Sequence, residues 1–155
     1  IVLRRLPGFR GYLEKHYRRE SDELLRNSLA DQLQRGKVEL DTWGRALLAA
    51  GRMDRIPELE SIRKNADRAI NRIRSAPEGY SGWFDFVQID TAQLETLYAH
   101  DAALAETVES WREAAAHAAN AEAGSVEPAS LRDPLQQILR SLDERDNLPR
   151  GMRSG

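Results

Sequence analysis

Asp90-Thr91-Ala92-Gln93-Leu94 opens a stretch that runs to Ala123 without a proline or a glycine, and its reading decides the fold. Asp90 is a strong helix N-cap. Gln93, three residues on, is its capping-box partner, and Ile89 and Leu94 hold the hydrophobic-staple positions on either side. Leu94, Leu97, Asp101, Leu104, Val108, Trp111, Ala115 and Ala118 then recur at steps of three and four, one face of a helix. At 1.5 Å per residue, such a helix is about 50 Å long. A rod of that length with one apolar seam needs neighbours of similar length, so the chain is predicted to be an all-α bundle.

Upstream, a helix is expected over residues 54–75, with Pro57 tolerated in the first turn, where amide donors lack partners. Its seam is Ile56, Leu59, Ile62, Ala66, Ile70 and Ile73, and Pro77 ends it. A first helix is expected from about residue 9 to 35, with Leu13, Tyr17, Leu24, Leu25, Leu29 and Leu33 on its apolar side. Gly36 predicts a break there. Either one helix is interrupted near Gly36, or a second short helix over 42–50 follows in series, carrying Trp43 and Leu47 and closed by Gly51. A last helix over 129–146 follows the linker Gly124 to Pro128 and buries Leu131, Leu135, Ile138, Leu139 and Leu142. Residues 1–8 read as an N-terminal arm and 147–155 as a frayed, flexible tail. The expected domain is thus a single elongated three- or four-helix bundle over 9–146. It is built on a long antiparallel hairpin of 54–75 against 90–123.

Charge is unevenly spread. Residues 51–75 hold seven basic and four acidic groups, whereas 76–124 hold nine acidic groups and one arginine, Arg112. Opposite signs on consecutive helices favour pairing within the hairpin, although an exposed ion pair contributes at most about 1 kcal/mol. The formal net charge of -2 and the absence of an isolated basic face argue against a nucleic-acid surface.

Asp101 is the one charge on the seam of the acidic helix, where a carboxylate is costly unless paired. In an antiparallel hairpin Arg68 comes level with it, and an Asp101–Arg68 pair is expected to fix register. Between the two helices, residues 77–89 include Tyr80, Trp83, Phe84 and Phe86, four of the chain's ten aromatic residues. These rings either cap the bundle core or dock on a partner, because aromatic side chains dominate interface hot spots. At the other extreme of the chain, Arg4, Arg5, Phe9 and Arg10 mix charge with apolar bulk, a pattern suited to an anionic membrane surface.

Catalytic apparatus is hard to find. There is no cysteine, hence no disulfide or thiolate metal site. Glu-x-x-His, the di-iron signature of bundles, does not occur. Glu113 and His117, four apart, would supply two ligands at most and read as a solvated pair. No phosphate loop, nucleophile elbow or dinucleotide fingerprint is present. Neither a cofactor nor a metal is expected.

Leu6-Pro7-Gly8-Phe9-Arg10-Gly11-Tyr12, Gly79-Tyr80-Ser81-Gly82-Trp83-Phe84-Asp85 and Leu97-Tyr98-Ala99-His100-Asp101-Ala102-Ala103-Leu104 together resemble a group of small helical bacterial proteins to which no activity is attached. The resemblance implies a bacterial origin and a helical fold, and carries no catalytic residue. The leading expectation is a cytoplasmic, non-catalytic adaptor or scaffold. It would bind another protein, or a second copy through alanine-rich faces such as Ala114 to Ala123. A peripheral membrane-surface protein is the second expectation, and a metal or small-molecule enzyme built in the bundle core is the third.

Overall fold

The computed structural model describes residues 18–75 and 90–153, and four helices build them. They are α1 (Arg18–Ala49), α2 (Ile56–Arg74), α3 (Thr91–Asn120) and α4 (Ala129–Arg153). A single 3-10 turn, Met53–Arg55, leads into α2, and there is no strand among the described residues. At 32 and 30 residues, α1 and α3 are each about 45–50 Å long. The all-α, elongated four-helix bundle is what the seams require.

The start of α3 forms as its sequence dictates. The Gln93 amide donates to Asp90 Oδ1 at 2.8 Å, and the Asp90 amide donates to Gln93 Oε1 at 3.1 Å. Every seam residue from Leu94 to Ala118 is buried, Asp101 included. In α2 the buried set is Leu59, Ile62, Ala66, Ala69, Ile70 and Ile73. Gly51 closes α1 with φ at +73°, and the Gly51 and Arg52 amides turn back onto the carbonyls of Leu48 and Leu47. This is the left-handed helix stop that glycine favours.

Two expectations about continuity are corrected. α1 runs unbroken through Gly36, where the sequence predicted an interruption. A Cβ placed on Gly36 would run into the six-membered ring of Trp111, so the glycine lets the indole lie against the α1 backbone. The ring is fully buried, and its Nε1 donates to the Leu131 carbonyl at 3.0 Å, joining α1, α3 and α4 at one level. At the other end of the chain, α4 continues to Arg153 rather than fraying at 147, with Leu148 packed on the core. Leu24, expected on the apolar side, is 58% exposed.

The pairing of helices also differs from expectation. α2 packs on α1 and α4, and α3 packs on α1 and α4, but α2 and α3 make no close backbone approach. They occupy diagonal corners, as do α1 and α4. Lys37 pairs with Asp67 and Arg63 with Asp41, which sets α1 antiparallel to α2. Arg55 meets Glu127 and Arg72 meets Asp143, which sets α2 parallel to α4. The expected 54–75/90–123 hairpin is therefore replaced by two hairpins, α1/α2 and α3/α4, laid side by side. The physical reason is one of magnitude. Each fully buried Leu or Ile is worth about 1.5–3 kcal/mol, against at most about 1 kcal/mol for an exposed ion pair. Burial of apolar side chains therefore outweighs the opposite charges of α2 and α3 in setting the arrangement.

One end of the bundle, holding the turns at 50–55 and 121–128, is tied by Arg52–Asp54 and Arg55–Glu127. The opposite end gathers the beginning of α1, the end of α2, the beginning of α3 and the last turns of α4.

Candidate functional site

Each of three seams, followed one step toward that opposite end, arrives at a charge. The α1 seam runs back from Leu29 through Leu25 to Asp22. The α4 seam runs on from Ile138 through Leu142 to Arg145, and the α3 seam crosses Asp101 between Leu97 and Leu104. Asp22 is 2% exposed; Asp101 and Arg145 are fully buried.

Arg145 Nε donates to Asp101 Oδ1 at 2.7 Å. Asp22 Oδ2 pairs with Arg26, one turn along α1, at 2.9 Å, while its Oδ1 accepts no hydrogen bond from the described residues. His100 stands at the rim with Nδ1 3.7 Å from Asp101 Oδ1 and Nε2 3.6 Å from Glu144. When protonated, its ring lies between two carboxylates. Burial pushes the Asp22 carboxyl up to about 6; Arg26 and Arg145 oppose the rise and Asp101 adds to it. A cleft of about 280 Å³ adjoins this junction, lined by Glu23, Arg26, Asn27, Ile73 and Arg74. The cluster can hold or release a proton within a sealed helix junction. It presents no group of three metal-ligating side chains among the described residues.

The expected Asp101–Arg68 pair is corrected. Asp101 is buried and paired as expected of a seam carboxylate, but its partner is Arg145 of α4. Arg68 is exposed on α2, which does not approach α3. Glu113 and His117 are both exposed on α3, in keeping with a solvated pair. Tyr80, Trp83, Phe84 and Phe86 lie outside the described residues, and so do Arg4, Arg5, Phe9 and Arg10. The signal that finds Asp22 and Arg145 in the sequence is the continuation of each apolar period by one further step.

Opposite charge stands on opposite corners. On α2, Lys64, Arg68 and Arg74 are exposed and make no ion pair with the described residues, and one acidic residue, Glu60, shares that condition. On α3, Glu95 and Glu106 are exposed and Glu109 is half-buried, and none of the three makes an ion pair with the described residues. No helix among the described residues is long and apolar enough to cross a membrane. No protein-family model, curated protein or solved structure matches the chain.

Proposed function

We propose that the chain is a non-catalytic interaction protein, an adaptor or scaffold of a bacterial cell that binds another protein through its helix faces and the aromatic segment 77–89. The observation that carries this reading is the placement of α2 and α3 on diagonal corners. Their outward charges cannot neutralise each other within one molecule, so a basic stripe and an acidic stripe are offered to opposite sides. Complementary charge of this kind governs orientation and encounter rate more than affinity. Affinity then calls for apolar anchors, and Tyr80, Trp83, Phe84 and Phe86 are the residues suited to that part.

Affinity capture from a cell extract tests the reading, using wild type, Glu106→Lys/Glu109→Lys, Lys64→Glu/Arg68→Glu and Trp83→Ala/Phe84→Ala. The expected result is one protein held stoichiometrically by wild type, released by 0.5 M salt and lost from at least one charge variant that keeps the wild-type helical content. The tryptophan variant is expected to shorten its residence time. Identical capture by all four folded proteins overturns the assignment of these surfaces.

A further inference from the structure

We propose that Asp22 and Arg26 of α1, Asp101 of α3 and Arg145 of α4 form a proton-operated latch, which holds the first turns of α1 firmly when Asp22 carries a proton and loosely when it does not. Three helices send an ionisable side chain to one buried level. Asp101 and Arg145 are joined there in a fully buried pair through Arg145 Nε. Asp22 is almost as deeply buried, yet its only described ion pair is with Arg26, which is itself 25% exposed and so partly engaged with water. Its second oxygen accepts nothing from the described residues. A carboxylate in that position loses hydration without full compensation, and uptake of a proton removes the penalty.

The surroundings fix the direction of the effect. From α1 the charges are Arg26 and, in the adjoining cleft, Glu23; from α3 they are Asp101 and, at the rim, His100; from α4 they are Arg145 and Glu144. Beside Arg26, α2 brings only Arg74 to the adjoining cleft. Burial wins over the two guanidiniums, and the carboxyl is held at about 6 against an ordinary value of 3.8. A raised folded value means that the folded junction binds the proton more tightly than the open one. Its contribution is complete below about pH 4 and is lost as pH rises through about 6. The location makes the loss local. Asp22 lies one turn into the described part of α1, whereas the other end of α1 is stopped at Gly51 beside the Arg52–Asp54 pair. Loosening here frees the start of α1 without opening the bundle.

Amide hydrogen exchange between pH 5 and 8, corrected for intrinsic rates, tests the latch on wild type, Asp22→Asn and His100→Gln. In wild type, opening at residues 22–33 is expected to grow by about tenfold across that range, because a carboxyl at about 6 in the folded junction and 3.8 in the open one has already lost part of the difference by pH 5. Residues 43–47 are expected to stay unchanged. Asp22→Asn should abolish the pH dependence and keep the low-pH protection throughout, while His100→Gln should retain most of it. Carboxyl carbon NMR on the wild-type protein gives a second readout, with an Asp22 midpoint near 6. Flat exchange in wild type, unchanged dependence in Asp22→Asn, dependence lost only in His100→Gln, or an ordinary Asp22 midpoint would each overturn the proposal.

Discussion

Arg145 Nε lies 2.7 Å from Asp101 Oδ1 with both side chains completely enclosed, so the last helix is keyed to the third by a single buried charge pair. Such a pair is not a cheap source of stability, because both ions give up hydration to form it. Its consequence is register: sliding α4 by one residue along α3 would strand both charges in apolar surroundings.

Single and paired replacements separate these effects. Asp101→Ala or Arg145→Ala alone should lower unfolding free energy by about 3–5 kcal/mol, since each breaks a buried pair and leaves the remaining charge without its opposite in the pair. Asp101→Leu/Arg145→Met should be close to neutral, or more stable than wild type by about 1–4 kcal/mol. Urea denaturation measures both. A double variant as unstable as the worse single variant would show that the pair is worth more than its desolvation.

Gly36 and Trp111 should behave as one unit. Gly36→Ala would add about 1 kcal/mol in a free helix, but here the new methyl meets the indole ring. A net loss of about 1–3 kcal/mol is expected, with the near-ultraviolet signal of Trp111 altered. Trp111→Phe removes part of the obstructing ring and the bond to the Leu131 carbonyl. The two changes made together should therefore cost less than the sum of the separate costs, a coupling that a double-mutant cycle reads directly.

Asp90→Ala removes the acceptor for the Gln93 amide at the head of α3. A cost of about 0.5–2 kcal/mol is expected, with Asp90→Asn close to wild type. Loss of protection confined to the first turn of α3 would accompany it.

The exposed pairs at the turn end supply a contrast. Arg55 holds the Glu127 carboxyl below its usual range, chiefly by hydrogen bonding and then by charge, and Arg52 does the same for Asp54. A lowered value contributes above the ordinary carboxylate pKa and is lost as pH falls through the depressed one. Because the pair is open to solvent, Glu127→Gln should lower stability only slightly at pH 7. Any difference from wild type should disappear in 1 M salt, and it should fade as pH falls through the lowered value.

The seam of α3, its capping box and the seam of α2 were legible because each is periodic over many residues and local in sequence. Gly36 was misread for the opposite reason. A glycine within a helical pattern reads as a break until the ring that needs its space is known, and Trp111 lies on another helix. The partner of Asp101 was hidden in the same way, although the α4 period from Leu131 through Leu142 continues to Arg145 without a gap. Helix pairing was the least legible level. Charge bias pointed to α2 beside α3, but the periodicity of a seam says which residues turn inward and nothing about which corner the helix takes. The junction charges are visible as departures from that periodicity, and their mutual contact requires all three helices to be in place.

The two hairpins lie with their like-numbered members parallel, so each half of the sequence is complete as a local structure and finds its complement in the other. Two molecules can satisfy the same contacts by exchanging halves, with the peptide between Ser75 and Asp90 bridging from one body to the next. Cleavage within that peptide should likewise yield two fragments that reassemble into the native bundle, because each helix pairs within its own half and across to the other through contacts of the described residues.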